Sequence, residues 1–453
     1  MSSLPRPAAA SLRFPLIAHT DPQSWVAWRH GEVLTAAQFL ADVAQVAEAL
    51  PPARHVLNAC ADRYRFTVLL CAAILRGQVT LLPSTTTPGV IALLRAKATD
   101  LYTVSDDPAA RFDLPHFEWP LARAGVGADF RVPEIAADQV VAHVFTSGST
   151  GEPQPHPKTW GALVRDVQGE AERLGIDAGH AILGTVPPQH MYGFESTVLL
   201  PLATGAAFVA ERLYFPADID AAIQAHDRPR VLFTTPFHLR TWLESGPPAA
   251  IERIVSATAP LSIPLARAAE AATGAELYEI YGCTEAGQVA TRRTALGEEW
   301  HLLEGLRVRE SAGQAVVHGG HVEQPVPLQD VIEMRPDGRH FVLHGRFADV
   351  VNIAGKRNSL RYLDHQLLSI PGVKDGVFYM PDEEHPDGVT RLTAFVVAPT
   401  LTPREVLAAL RERLDPAFVP RPLHMVDALP RLLTGKITRE ALKALAARLK
   451  GAA

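Results

Sequence analysis

At 453 residues the chain is too long for one ordinary hydrophobic core, so two or more domains are expected. Its net charge of -6 gives no electrostatic case for a nucleic-acid partner, and no apolar run approaches the ~18 residues of a membrane span. The three scattered cysteines, Cys60, Cys71 and Cys283, fit neither a disulfide framework nor a zinc spacing, so a reducing, cytoplasmic setting is expected.

Residues 1–14 hold arginines and an alanine run but no long apolar core, and read as a disordered leader, not a signal peptide. Residues 34–50 place apolar side chains at three- and four-residue spacing, with Thr35 as N-cap. That predicts a helix, which Pro51 and Pro52 stop. Residues 55–60 read as a short buried strand, 66–75 as a second helix and 79–82 as the next strand. Helices and strands that alternate in this way imply parallel sheets with helices on both faces. The sequence shows no internal repeat.

The apolar run at 140–144 empties into Phe145-Thr146-Ser147-Gly148-Ser149-Thr150-Gly151-Glu152-Pro153. Four hydroxyl side chains and two glycines fill 146–151. Glycine lets the backbone approach an anion and turn its N–H groups inward, while hydroxyls add donors without a fixed charge. On composition alone the loop is either a phosphate cradle or a flexible turn. It is not the P-loop of nucleoside triphosphatases, which needs Gly-Lys-Ser/Thr where this chain has Gly151-Glu152-Pro153. A helix is expected over 160–174, a helix-to-strand crossing over 199–209, and strands over 231–236 and 276–281.

Glu285 follows the last of these strands. Beside a phosphate it would be repelled unless a cation lay between them, and Mg2+ takes a single carboxylate plus phosphate oxygens and waters. Asp337-Gly338 predicts a hairpin turn. Residues 376–380 and 392–397 then read as strands, and 404–414 and 438–449 as helices, in a smaller α/β unit.

Four stretches, in order, carry a resemblance. They are Thr146–Pro153, then Tyr281-Gly282-Cys283-Thr284-Glu285, then Gly345-Arg346-Phe347-Ala348-Asp349 with Gly355-Lys356-Arg357, and last Pro430-Arg431-Leu432-Leu433-Thr434-Gly435-Lys436-Ile437. Together they resemble the adenylate-forming superfamily of acyl- and aryl-CoA synthetases, peptide-synthetase adenylation domains and luciferases. The resemblance spans nearly the whole chain. It implies an α/β fold, with a large N-terminal part (1–347) of doubly wound sheets and a β-rich subregion. A small mobile α+β C-terminal domain (348–453) would follow.

The implied reaction is ATP-dependent activation of a small aryl or short- to medium-chain carboxylic acid to an acyl-adenylate. Transfer to a thiol follows, either coenzyme A or the phosphopantetheine arm of a separate acyl carrier protein. Thr146, Ser147, Gly148, Ser149, Thr150 and Gly151 would cradle phosphates, and Glu285 would hold Mg2+. Thr284 would donate to the α-phosphate, and Tyr281, with Gly282, would lie near the adenine. Asp330 would accept from the ribose hydroxyls, Arg346 would clamp ribose or phosphate, and Lys436 would be the catalytic lysine of the first half-reaction. His190 or Tyr192 would touch the acid. Ala257 and Thr258 stand where the family often has two glycines, which should shorten or reshape the acid pocket. Cys283, set among these residues, reads as inert.

Three departures stand out. Gln154 occupies the position of the usual loop lysine, and the nearest lysine is Lys158, after an insertion-like Pro155-His156-Pro157. Lys158 either swings back to the phosphates or leaves the loop without that charge. Ala348 stands at the hinge, and Tyr362-Leu363-Asp364 replaces a frequent Glu-Ile-Glu. The altered loop and short N-terminal half look most similar to stand-alone ligases of bacterial aryl-polyene pigment pathways, which would favour an aryl acid. The alternative is a nucleotide-binding protein of this type with weakened or absent ligase chemistry.

Overall fold

Alternating helices and strands wind into two main sheets, seen in a computed structural model. The structure describes residues 12–83, 85–107, 109–119, 130–147, 153–225, 227–311, 314–346, 350–353, 356–381, 391–432 and 437–450. Among them a five-stranded sheet runs in the order Leu101–Val104, His55–Asn58, Val79–Leu82, Val140–Ser147, Pro153–Thr159. The first four strands are parallel, as the alternation predicts, and the fifth returns antiparallel.

Local chemistry sets the helix starts. Thr35 and Gln38 form a reciprocal capping box at Ala36–Ala49. Asp62 accepts from the Arg65 N–H, so the next helix begins at Arg63 and not at the expected Phe66. That helix, Arg63–Leu75, is buried on nearly every side, which explains its lack of a polar stripe.

The second sheet has eleven strands among the described residues. Its centre is parallel: Glu276–Cys283, Arg253–Ser256, Arg230–Thr234, Ala181–Gly184, Ala207–Val209 and Trp25–Arg29. Antiparallel strands extend both ends, with Glu32–Thr35 at one and Gly287–Arg292, Trp300–Leu302, His340–Arg346 and Asp330–Met334 at the other. A three-stranded sheet, Leu306–Ser311, Gln314–Gly319 and Val322–Pro327, supplies the expected β-rich subregion. The turn at Asp337-Gly338 forms, with Gly338 at φ +66°.

The helix Trp160–Leu174 has the bounds the sequence predicts, with Thr159 as cap. The segment 155–157 corrects the sequence reading. It is no insertion but the middle of the strand Pro153–Thr159, paired residue by residue with Val140–Ser147.

Beyond Val350 the chain has a hydrophobic core of its own, built on Leu363, Leu367, Phe378, Val396, Val406, Leu410 and Phe418. Strands Asp375–Tyr379 and Thr393–Val397 and helices Pro403–Arg413 and Arg439–Lys450 match the expected elements. Ion pairs join this part to the main body: Arg361 to Asp330 at 3.8 Å, His365 to Glu298 at 3.6 Å and Lys374 to Glu244 at 3.3 Å. No helix among the described residues is long and apolar enough to cross a membrane.

Candidate active site

The site is built first on the hairpin Val140–Ser147/Pro153–Thr159. A strand alternates its faces, so Gln154, His156 and Lys158 share one side. His156 sits diagonally across from Thr146, and its Nε2 lies 2.9 Å from Thr146 Oγ1. The same Nε2 is 3.7 Å from Glu285 Oε1. Burial holds the His156 imidazole below its ordinary value, against the opposing pull of Glu285. Two residues on, Lys158 is buried, and its Nζ donates to the Glu285 carbonyl at 3.2 Å. The hairpin and the distant Glu285 turn thus meet at one place.

That turn joins Glu276–Cys283 to Gly287–Arg292. Gly282 is required by the close return of the chain, because a Cβ there would run into the Gly287 carbonyl. Thr284 and Glu285 form the turn's tip, and the Glu285 side chain is 42% exposed. Cys283 lies between them and the sheet. Burial pushes its thiol up to about 12, so it is no nucleophile at neutral pH, in keeping with the inert reading.

The third element is the strand Asp330–Met334, whose first residue pairs with Arg346. Asp330 is buried, and its Oδ2 accepts from the Tyr281 hydroxyl at 2.8 Å. Tyr281 packs between Trp300 and Phe341, with ring centroids at 5.7 and 5.8 Å, so its hydroxyl cannot wander. Asp330 Oδ1 has no hydrogen-bond partner among the described residues, and Arg361 lies 3.8 Å away. A buried carboxylate oxygen left open in this way can accept from a donor that arrives with a ligand.

Of the expected acid-side residues, Tyr192 meets the strand that precedes Ala257 and Thr258. His190 precedes the short helix Met191–Phe194, and the Tyr192 hydroxyl donates to the Val255 carbonyl at 2.8 Å. Val255 lies in the strand that leads to Ala257 and Thr258. Ala257 is buried, and Thr258 holds φ +78°, a left-handed conformation unusual for a β-branched residue.

Several expected residues fall outside the described residues: Gly148, Ser149, Thr150, Gly151, Phe347, Ala348, Asp349, Gly355 and Lys436. For Ser147, Arg346, Lys356 and Arg357 the strand positions are described, but not the side chains. The sequence reading missed His156 as a site residue. Its signal was the two-residue period that places it beside Lys158.

A metal ion here would find one carboxylate, Glu285, half exposed and facing the hairpin. Among the described residues no group of three or more His, Cys, Asp or Glu side chains is placed to hold an ion. That donor set suits a hard cation that takes the rest of its shell from phosphate oxygens and water, as Mg2+ does.

The hairpin strands that flank residues 148–152, the Glu285 carboxylate beside His156 and the open oxygen of Asp330 are features that a nucleotide-using enzyme would need. Residues 51–318 match the family described as AMP-binding enzyme. The 4-coumarate–CoA ligase of Rhodobacter capsulatus is 33% identical over 311 residues, covering 66% of this chain and 76% of that protein. The 3,4-dihydroxybenzoate–[aryl-carrier protein] ligase of Bacillus anthracis is 22% identical, over 66% of this chain and 72% of that one. In fold, O-succinylbenzoate coenzyme A synthetase from Bacillus subtilis, solved with AMP, superimposes with a TM-score of 0.80, 17% identity and coverage of 95% and 98%. The chain belongs to the AMP-binding enzyme family. It is an AMP-forming acid–thiol ligase, which activates a carboxylic acid by adenylation.

Proposed function

We propose that the protein activates an aryl carboxylic acid with ATP and Mg2+ and passes the acyl group to coenzyme A or to the phosphopantetheine arm of a separate acyl carrier protein. The observation that carries the reading is the meeting of Thr146, His156, Lys158 and Glu285 at the mouth of the phosphate hairpin. The aryl preference draws on two similar ligases, whose named acids are 4-coumarate and 3,4-dihydroxybenzoate. Ala257 and Thr258, bulkier than glycine, fit a short, flat acid better than a long chain. The carrier-protein option draws on the second ligase alone. Three free cysteines, two of them buried, are in keeping with a cytoplasmic setting.

The obstacle in the first half-reaction is charge, because a carboxylate must attack an anionic α-phosphate. The hydroxyls and N–H groups of 146–151, Thr284 and Lys436 would donate to the phosphates as negative charge builds. When bound at Glu285, Mg2+ supplies charge neutralisation between that carboxylate and the phosphates. Asp330 would accept from the ribose hydroxyls, with Tyr281 holding it in place and Arg346 alongside. His190 and Tyr192 would orient the acid, with Ala257 and Thr258 closing its pocket. Positioning and electrostatics do most of this work, with little acid–base chemistry.

The second half-reaction needs another face. In this reading residues 348–453 form a mobile domain that turns about Ala348, withdraws Lys436 and brings Lys356 and Arg357 toward the site. The thiol then attacks the acyl carbon and AMP leaves. Pyrophosphate release, measured with ATP and Mg2+ over aryl, short-chain and long-chain acids, tests the reading. Release with aryl acids, followed by AMP-coupled thioester formation with one thiol, is expected. ATP binding without release on any acid overturns it.

A further inference from the structure

Beneath the Glu285 turn lies a layer of buried polar side chains that the reaction above leaves unused. Asp166 and Glu170 stand one turn apart on the helix Trp160–Leu174. Glu195 and Ser196 open the π-helical segment Glu195–Leu199, a helix type often found at functional positions. Gln288 comes from the strand after the turn, and His321 begins at the edge of the three-stranded sheet. All six are buried.

These groups hold the turn by its backbone. The Gln288 N–H donates to both Asp166 oxygens at 3.3 Å. His321 Nε2 donates to the Ala286 carbonyl at 3.1 Å and lies 3.5 Å from Asp166 Oδ1. Gly287 takes φ +80° against Asp166, where a Cβ would collide with Oδ2. Gln288 Nε2 donates to Glu170 Oε2, and Ser196 Oγ to Glu170 Oε1, each at 2.7 Å. Glu195 stands beside Asp166 at Gly287, and burial together with the nearby Asp166 pushes its carboxyl well above the usual carboxylate range. With Lys158 on the Glu285 carbonyl, the backbone at residues 285, 286 and 288 is held by hydrogen bonds.

We propose that Asp166 is a positioning residue for adenylation: it fixes the backbone at 286–288 so that Thr284 and Glu285 meet the nucleotide phosphates. The inference rests on the reading of Glu285 as the phosphate-side carboxylate. Its physical basis is that a reacting group must be held to within about 0.5 Å by its supporting shell. A shift of about 1 Å costs on the order of 10²-fold in rate.

The test combines amide hydrogen exchange on the ligand-free protein with the Mg2+ dependence of pyrophosphate release. In Asp166→Asn one of the two carboxylate oxygens that accept from the Gln288 N–H becomes a donor, and the other becomes a neutral amide oxygen. The Gln288 amide should exchange at least ~10-fold faster, the size of a lost hydrogen bond to a charged group. Half-saturation by Mg2+ should shift upward several-fold, while the KM for the acid and the unfolding midpoint stay near wild type. If Asp166→Asn does not fold, His321→Leu removes a second grip on the same turn and should produce the same two changes. Wild-type exchange and Mg2+ dependence in the folded variant overturn the proposal. If the wild-type protein releases no pyrophosphate with any acid, the functional reading fails, and the exchange rates still decide whether Asp166 holds the turn.

Discussion

Lys158 Nζ donates to the carbonyl of Glu285 at 3.2 Å, a contact between residues 127 positions apart. The lysine nearest the phosphate loop is thereby committed to the turn that carries the proposed metal carboxylate. Lys158→Met should lower ATP–pyrophosphate exchange by about 10- to 100-fold, the range for losing a charged hydrogen bond. The acid KM should hardly move. Lys158→Arg should not restore the rate, because the site is buried and a planar fork is no substitute for a compact ammonium.

Tyr281 serves Asp330. Tyr281→Phe deletes the donor at 2.8 Å and leaves both Asp330 oxygens without a neutral partner among the described residues. Steady-state kinetics should show the KM for ATP raised by roughly 5- to 10-fold, from about 1 kcal/mol of lost hydrogen bonding, with kcat nearly unchanged, the mark of lost uniform binding.

Thr258 occupies a left-handed conformation at φ +78°, next to the buried Ala257. Thr258→Gly removes both the strain and a branched side chain from the proposed acid pocket. Acids bulkier than the native substrate should gain in kcat/KM relative to it, by about 10-fold per added methylene accommodated. An acid-panel assay reads this directly.

Glu170 gives stability a pH dependence. Burial pushes its carboxyl up to about 8, from an ordinary value of 4.5. The folded protein therefore keeps a proton that the unfolded chain releases. The stability from this group is full below pH 4.5 and is lost as pH rises through about 8. Urea midpoints should fall between pH 6 and 9, on the order of a few kcal/mol in unfolding free energy. Glu170→Gln, which has no proton to lose and whose amide can accept from Gln288 and donate to the Ser196 hydroxyl, should flatten that fall.

Cys283 should resist alkylation in the folded enzyme at pH 8, since burial pushes its thiol up to about 12. Cys283→Ala should retain most activity. Mass spectrometry after iodoacetamide treatment, before and after unfolding, checks the first point.

Much of this was written in the chain's local order. The helix Trp160–Leu174 has its cap at Thr159 and its stop at Gly175, within a few residues of the apolar pattern that predicts it. Residues 140–147 show their strand character in an apolar run, and Asp337-Gly338 shows its turn. Where the reading slipped, a competing local cue won. Pro155 and Pro157 suggested an interruption, because proline removes ladder donors. The strand tolerates them because it lies at the edge of its sheet. Arg63 looked like a residue outside the helix, but the Asp62 cap draws the helix start back to include it.

By itself, then, the sequence determined the strand-and-helix alternation, the Thr35 cap and the Asp337-Gly338 turn. Those follow from spacing and residue chemistry over a few residues. Only the tertiary structure decided that His156 faces Glu285 and that Lys158 closes on its carbonyl. It also placed Asp166, 122 residues from Gln288, beneath the same turn. Spacing tells which face of a strand or helix a side chain takes. Which distant face it meets is set by how the sheets pair and stack, because only the closed core fixes the distance between groups far apart in the chain.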